Sequence, residues 1–311
     1  MTLLGIDIGG TRIKAGRVDS SGHIEASSGV PTPASLPALR EALIALVREL
    51  SEKSPPSAVG FACKGIINPD TTRVESLPGT VSFLEGHVLK DLIANVLPAG
   101  APVFADNDAR AAMAGELAWG AARGHANTLM LTLGTGVGGA VVVGGKLLRG
   151  AWGAAGHLGH VTVDPDGSPC ICGSHGCIET VFSARAIEAE AFAAAHRGCD
   201  TVLTAELERG TLTCEAVFRA AREGDEIARR IIARATKALG AAIAGLFHAF
   251  DPEIMILGGQ IAEAGESLFD ALREETAWRT QRLLRRRIPI VPAQLGDRAG
   301  IVGAAALTLG M

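Results

Sequence analysis

The chain has 311 residues, a length that predicts about two domains of roughly 150 residues each. It is 48% hydrophobic and 20% charged, with a net charge of −4, a balance that excludes a general attraction to nucleic acid. The N-terminal residues MTLLGIDIGG are typical of a strand and not of a signal peptide. Every apolar run is broken by glycine or charge before the roughly 18 residues of a membrane span. We therefore expect a cytoplasmic protein with no nucleic-acid or membrane partner.

The first chemical signal is a glycine turn between two apolar runs near the N-terminus. The sequence Gly9-Gly10-Thr11 predicts a hairpin, with Asp7 at the end of the first strand and Lys14 after the turn. Glycines allow backbone N–H groups to approach an anion closely. Glycine turns are common, but the preceding carboxylate and the following threonine make this turn a candidate anion-binding loop.

Helical and extended patterns alternate along the rest of the chain. Helices are expected over residues 34–52, 84–95, 107–122, 183–197, 213–222, 225–250, 276–287 and 300–307. Strands are expected from residue 58 and over residues 102–105, 253–257 and 288–293. This alternation predicts an α/β protein, and the hairpins indicate mixed sheets.

A group of polar residues, Asp106-Asn107-Asp108, lies between a predicted strand and a predicted helix. A carboxylate there could act as a general base toward a hydroxyl group. Asn107 beside Asp108 suits recognition of vicinal hydroxyls, because an amide and a carboxylate together donate and accept hydrogen bonds. Simple capping of the helix by Asp106 or Asn107 is an equally good interpretation of this motif alone.

Two further glycine turns follow apolar strands. The sequence LTLGTGVGGA, residues 131–140, matches Gly-x-Gly-x-x-Gly, but it leads into a strand where a dinucleotide motif requires a helix. The pair Gly258-Gly259 follows a buried-strand pattern. Each turn alone could be ordinary. Together the three turns suggest repeated approach of backbone to one phosphate-bearing ligand.

Three of the six cysteines lie in one short loop, at Cys170, Cys172 and Cys177. Crowded thiolates form a disulfide or share a metal, and this clustering favours a metal in a reducing cytosol over a disulfide framework. His160 can complete the Cys3His set of a structural zinc site. A reduced loop with incidental thiols is the remaining alternative. A metal would also fix nearby polar groups, including His157 and Glu179, that could face a ligand.

The motifs DIGGTRIK, DNDARAAMAGE, LTLGTGVGGA, GHLGH with its cysteine loop, and ILGG resemble, in this order, those of the ROK family. That family comprises bacterial sugar kinases, sugar-responsive repressors and N-acetylmannosamine kinase domains. The resemblance covers residues 3–308 and implies an actin-like ATPase (ribonuclease H-like) fold, with ATP and sugar in a cleft between two α/β domains. We expect a small domain over residues 1–118, completed by residues 296–311, and a large domain with the zinc loop over residues 119–295.

The resemblance also implies roles for individual residues. The nucleotide would be bound by Asp7, Gly9, Gly10, Thr11, Lys14, Gly134, Thr135, Gly136, Gly138, Gly258 and Gly259. The sugar would be bound by Gly65, Asn107, Asp108, His157, His160 and Glu179, with Asp108 as the catalytic base. The zinc ligands would be His160, Cys170, Cys172 and Cys177.

The chain departs from the family pattern at positions beside the expected sugar. The usual Glu-x-Gly-His is His157-Leu158-Gly159-His160 here, and an imidazole bonds different oxygens from an acceptor-only carboxylate. Arg110 replaces a common Asn, and Cys63-Lys64-Gly65 stands where many kinases have Pro-Gly. These departures leave the identity of the sugar open.

The expected reaction is transfer of the γ-phosphate of Mg²⁺-ATP to a hexose hydroxyl, the 6-hydroxyl in the simplest case. Alternatives are a catalytically silent sugar sensor and a kinase for an N-acylated or rarer hexose. A repressor of the family would carry a DNA-binding segment before the first phosphate hairpin, which here starts at residue 3. A closed Cys3His site argues against a zinc hydrolase. The resemblance favours a homodimer or homotetramer.

Overall fold

The computed structural model describes residues 2–310, whose strands form two five-stranded sheets and one short hairpin. The strands are β1 Leu3–Ile8, β2 Arg12–Val18, β3 Ile24–Pro31, β4 Ala58–Cys63, β5 Ile66–Asn68, β6 Arg73–Ser76, β7 Val103–Asn107, β8 Thr128–Leu133, β9 Val137–Val143, β10 Lys146–Leu147, β11 Ile254–Gly258 and β12 Ile290–Pro292. The helices are α1 Leu36–Ser51, α2 Asp108–Trp119, α3 Ile178–Val181, α4 Ala184–His196, α5 Leu203–Glu208, α6 Cys214–Glu223, α7 Glu226–Phe250, α8 Glu266–Leu284 and α9 Ala299–Ala306.

The first sheet has the strand order β3-β2-β1-β4-β7. β1 is antiparallel to β2 and parallel to β4, which is in turn parallel to β7, so the predicted mixed sheet is confirmed. In this register Ile8 pairs with Cys63, and Cys63 pairs with Asn107. The carboxyl ends of three parallel strands therefore meet at one edge, where α/β proteins commonly bind ligands.

The sheet β3-β2-β1-β4-β7 is covered on both faces. On one face α1 contributes an apolar stripe with helical spacing, formed by Leu39, Leu43, Leu46, Val47 and Leu50. On the other face α9 lies directly against the strands, because Gly5 and Gly60 have no side chains. A Cβ at either glycine would overlap the backbone of α9, at Ile301 and Ala304 respectively. The small residues of this helix are thus required by close approach to the sheet.

The second sheet has the order β10-β9-β8-β11-β12, with β11 parallel to both β8 and β12. Its central strands are buried on both faces, as expected of parallel strands covered by helices. The long helix α7 packs along α8 and α6. By length and composition α7 could cross a membrane, but half of its most apolar window is buried within the fold, as in the core helix of a globular protein.

The chain divides into two compact units, each continuous in space but not in sequence. One unit extends from the N-terminal strand to Ala126 and adds Ala140–Gly156 and the C-terminal segment from Ala293. The other consists of Asn127–Gly139 and His157–Pro292. They are called the N-terminal unit and the cysteine-loop unit below.

The structure corrects two of the predicted helices. Residues 84–95 form short 3₁₀ turns at Ser82–Leu84, Leu89–Leu92 and Ala94–Val96 in place of a continuous α-helix. The apolar residues of these turns are buried in the core of the N-terminal unit. The periodic pattern therefore reflects burial and not a helix. The helix predicted over 276–287 is α8, which begins at Glu266 and ends at Leu284. Charged residues in its first half obscured the buried stripe that includes Leu268 and Leu272.

Candidate functional site

In the N-terminal unit, the turn between β1 and β2 presents backbone donors to solvent. The N–H of Gly9 is used within the hairpin, donating to the carbonyl of Arg12 at 3.2 Å. Thr32 fixes the turn from outside, since its hydroxyl donates to Gly9 at 2.7 Å and its N–H donates to Thr11 at 3.0 Å. Within residues 2–310, the N–H groups of Gly10 and Thr11 donate to no protein acceptor. These two groups are therefore the donors that the turn can offer to an anion.

Asp7 precedes this turn and lies opposite Lys14 in the hairpin register. Burial raises the pKa of Asp7 from 3.8 to about 6, the negative charge of Asp108 adds to the increase, and Lys14 opposes it. Asp7 is therefore ionised at neutral pH and suited to bind a hard cation. Because ionisation is disfavoured in the folded state, this group's contribution to the free energy of unfolding falls as the pH rises from about 4 to about 6.

The junction of β7 and α2 carries Asn107 and Asp108. Asn107 caps α2, because its Oδ1 accepts from the N–H of Ala109 at 3.0 Å, while its Nδ2 donates to the carbonyl of Gly65 at 3.0 Å. The capping interpretation is thus correct for Asn107, and it leaves one amide hydrogen for a ligand. Asp108 faces solvent, yet protein surrounds it closely, and the resulting dehydration raises its pKa. A carboxylate with a raised pKa is a better proton acceptor near neutral pH.

Lys64 and Gly65 lie beside this junction. The positive charge of Lys64 lowers the pKa of Asp108 and partly offsets the dehydration. Lys64 Nζ also donates to the carbonyl of Pro78 at 3.2 Å, which holds the ammonium group near the junction. Gly65 has a φ of +94°, and a Cβ there would overlap the carbonyl of Ser76. Its backbone conformation therefore orients the carbonyl that binds Asn107.

Arg110, expected near the substrate, is instead a buried structural residue. Its Nε donates to Asp106 at 2.5 Å, and its other nitrogens donate to the carbonyls of Ala155 and Gly153 at 2.5 and 2.8 Å. Asp106 is fully buried and also pairs with Arg149 at 2.9 Å. Sequence reasoning missed this cluster, because the partners of Arg110 lie more than 40 residues away along the chain. Its only local signal was an i,i+4 acid–arginine pair at the start of an alanine-rich helix.

In the cysteine-loop unit, a second turn joins β8 to β9. Its backbone is closed by the N–H of Gly134, which donates to the carbonyl of Gly136 at 3.0 Å. In the described part of the chain, the N–H groups of Thr135 and Gly136 donate to no protein acceptor. Glu179 contacts this turn directly, since its Oε2 accepts from the N–H of Val137 at 2.9 Å. The residue expected to contact sugar is thus also bound to the second glycine turn.

The third glycine pair follows β11 in the same unit. Gly259 has a φ of +85°, and a Cβ at this position would overlap the backbone of Leu133 at the end of β8. Both the conformation and the close approach require glycine. The structure therefore brings the Gly258-Gly259 pair next to the turn that begins at Gly134.

The four predicted zinc ligands lie together, with their ligand atoms all within 4.8 Å of one another. Cys170 Sγ is 3.4 Å from His160 Nδ1, and Cys172 Sγ is 3.6 Å from Cys177 Sγ. Tetrahedral zinc with Zn–S bonds of about 2.3 Å spaces its sulfurs about 3.8 Å apart, so this donor set fits the ion.

The protonation chemistry of the thiols also fits a metal site. Burial raises the pKa of Cys177 to about 12, so a bound cation is needed to hold it as the thiolate. The backbone N–H of Ser174 lowers the pKa of Cys172. Because Nδ1 of His160 faces the sulfurs, Nε2 is the nitrogen that it could offer elsewhere. The ring of His157 lies 6.3 Å from that of His160, centroid to centroid, and nearly parallel to it.

Comparison with known proteins identifies the family. The chain belongs to the ROK family, whose sequence model matches residues 3–310. It is 36% identical over 310 residues to a glucokinase of Streptomyces coelicolor, covering 98% of this chain and 96% of that enzyme. It is also 35% identical over 319 residues to an N-acetylmannosamine kinase of Escherichia fergusonii, covering 100% of this chain and 99% of that enzyme.

A solved structure supports the same assignment. The ROK family glucokinase from Streptomyces griseus, in complex with glucose and AMPPNP, superposes with a TM-score of 0.83 at 34% sequence identity. The comparison covers 99% of each chain. The actin-like ATPase fold and the family predicted from the motifs are thereby confirmed.

Arg110 provides a test of the buried cluster. The substitution Arg110→Met removes one of the two guanidinium partners of the buried Asp106 and the donor to two loop carbonyls, so the free energy of unfolding should fall by about 3–5 kcal/mol. The measurement is urea unfolding. Arg230→Met is the control, because its pair with Glu226 is exposed and should change stability by less than about 0.5 kcal/mol. A loss below about 1 kcal/mol in Arg110→Met would contradict the structural role.

The cysteine cluster predicts one zinc ion per chain. Cys172→Ser should lose the metal and lower the melting temperature, because the serine hydroxyl does not replace a thiolate ligand. Metal analysis and thermal unfolding measure both effects. Cys199→Ser, which changes a partly buried cysteine outside the cluster, should retain both the metal and the melting temperature. An unchanged metal content in Cys172→Ser would rule out this ligand set.

Proposed function

We propose that this chain is a cytoplasmic ATP-dependent sugar kinase that transfers the γ-phosphate of Mg²⁺-ATP to a hexose hydroxyl, the 6-hydroxyl in the first instance. The observation that carries the proposal is Asp108, an accessible carboxylate with a raised pKa beside a fixed amide, on a chain that matches glucokinases over nearly its full length. The glucose and AMPPNP bound by the S. griseus enzyme support a sugar and ATP as the two substrates.

In this proposal the phosphates are bound by backbone N–H groups. The turn at Gly10 and Thr11 and the turn at Thr135 and Gly136 offer donors without recorded protein acceptors among the described residues. Asp7 would hold Mg²⁺ directly or through water, and the ion would neutralise charge on the β- and γ-phosphates. As the resemblance implies, further contacts to the nucleotide would come from Lys14, Gly138 and the Gly258-Gly259 pair.

Asp108 acts as the general base. Its carboxylate accepts the proton of the attacking hydroxyl, and Asn107 orients that sugar through its remaining amide hydrogen. The residues His157, His160, Glu179 and Gly65 supply the other sugar contacts. Zinc, held by His160 and the three cysteines, has a structural part only, since a closed four-ligand site has no open position for substrate. A homodimer or homotetramer is the proposed assembly.

The experiment is a coupled assay of ADP release with Mg²⁺-ATP and a panel of sugars: glucose, mannose, fructose, allose, glucosamine, N-acetylglucosamine and N-acetylmannosamine. We expect kcat/KM for one sugar to exceed the others clearly. No ADP release with any sugar, together with sugar binding in calorimetry, would contradict the kinase and favour a sensor.

Asp108→Asn tests the proposed base. Turnover should fall by about 10²–10⁴ or more, because the amide cannot accept the proton, while the sugar dissociation constant should stay within a few-fold. Single-turnover kinetics and calorimetry separate the two effects. Asp91→Asn neutralises an exposed carboxylate of the same unit and should leave both unchanged. Near-normal turnover in Asp108→Asn would remove this residue as the base.

The pH dependence provides a second test of Asp108. Since only the carboxylate accepts a proton, kcat/KM should decline on the acid side at a pH above the ordinary carboxylate range. Lys64→Met removes a charge that lowers the pKa of Asp108, so the decline of kcat/KM on the acid side should move to higher pH. Lys90→Met removes an exposed charge elsewhere and should not move it. If the acid-side decline of kcat/KM stays in place or moves to lower pH in Lys64→Met, Asp108 is not the general base.

A further inference from the structure

The second glycine turn is held at both ends by the segment that follows the last cysteine. At one end Glu179 Oε2 accepts from the N–H of Val137 at 2.9 Å. At the other end the N–H of Ala184 donates to the carbonyl of Gly134 at 2.9 Å. The two bonds come from residues only five positions apart, at the start of α3 and of α4. This segment therefore fixes both strand ends from which the turn projects.

The carboxylate of Glu179 also shapes the turn sterically. A Cβ at Gly136 would overlap that carboxylate, so glycine at position 136 makes room for Glu179. The hydrogen bond to Val137 is charge-assisted, which is the stronger class of hydrogen bond. Oε2 thus has a defined place against the turn, and Oε1 is the oxygen that the proposed sugar contact would use.

The same segment is attached to the metal ligands. Cys177, two residues before Glu179, lies with its sulfur 3.4 Å from the carbonyl of His160. The N–H of Ile178 donates to the carbonyl of Val161 at 3.0 Å, which joins the residue after Cys177 to the residue after His160. Next to His160, Gly159 lies so close to Val137 that a Cβ would overlap the Val137 carbonyl. Val137 is therefore contacted by Gly159, which precedes the ligand His160, and by Glu179, which follows the ligand Cys177 by two residues.

We propose that Glu179 is a positioning residue for the phosphate-binding turn at 134–138, and that metal binding by the cysteine loop stabilises this turn through Glu179. The expected effect on nucleotide affinity rests on the proposed function, in which this turn binds the phosphates of ATP. Loss of the bond frees the Val137 N–H and loosens the turn, so nucleotide affinity should fall even in the absence of sugar. A residue that only contacts sugar would leave that affinity unchanged.

The test compares Glu179→Ala and Glu179→Gln, with Asp166→Ala as the control that removes an exposed carboxylate from the same loop. Calorimetry with ADP, without sugar, should show affinity about tenfold weaker for Glu179→Ala, from the loss of a hydrogen bond to a charged acceptor. Glu179→Gln retains an acceptor oxygen and should bind ADP within a few-fold of the unaltered chain, as should Asp166→Ala. Equal weakening in the Ala and Gln variants, or none in Glu179→Ala, would overturn the proposal.

Hydrogen exchange of the peptide spanning residues 134–138 tests the same contact without any nucleotide. Exchange should be faster in Glu179→Ala, normal in Glu179→Gln, and faster in the unaltered chain after its metal is removed by a chelator. Unchanged exchange in Glu179→Ala or after metal removal would overturn the inference. Failure of the unaltered chain to bind ADP would contradict the proposed function, while the exchange result would still decide whether Glu179 holds the turn.

Discussion

The carboxylate of Asp106 determines the geometry at the carboxyl edge of the first sheet. It is buried, and two guanidinium groups and the N–H of Asn107 bind its oxygens. Removing a carboxylate from water is costly unless all its oxygens are satisfied, so the strand end, the helix start and the loop around Gly153 are mutually fixed. Asn107 and Asp108 follow this anchor directly. Both residues are therefore placed by a hydrogen-bonded junction between the end of β7 and the start of α2.

The features that were predictable from sequence depend on neighbouring residues alone. A glycine pair after an apolar strand can be recognised from its neighbours in sequence, and Gly259 has the positive φ that such a turn needs. The alternation of strands and helices was predictable for the same reason. The prediction of a helix over residues 84–95 was wrong because apolar residues can reach a core from short turns as well as from a helix. Only the second half of α8 was predicted, because the charged residues of its first half obscured the buried stripe that includes Leu268 and Leu272.

Functions of single side chains were less predictable, because the residue type does not reveal the partner. An arginine beside a catalytic motif suggests a substrate contact, yet Arg110 binds the carbonyls of a loop that lies far along the chain. Glu179 follows the cysteine loop, and the resemblance to the ROK family suggested that it contacts sugar. The hydrogen bond to Val137 depends on how α3 packs against β9, and no local pattern encodes that packing. A motif can thus suggest one contact of a residue such as Glu179, while the folded structure adds a second contact that the motif does not predict.

The two sheets repeat one arrangement of strands. In each, the third, second, first, fourth and fifth strands in chain order lie side by side, and a glycine turn joins the first to the second. The two sheets thus share one strand order, but the ends of their first strands differ chemically. The second-last residue of the first strand is Asp7 in one half and Thr132 in the other. Both turns can offer backbone donors to an anion, whereas the first alone is preceded by a carboxylate at this position, where threonine stands before the second.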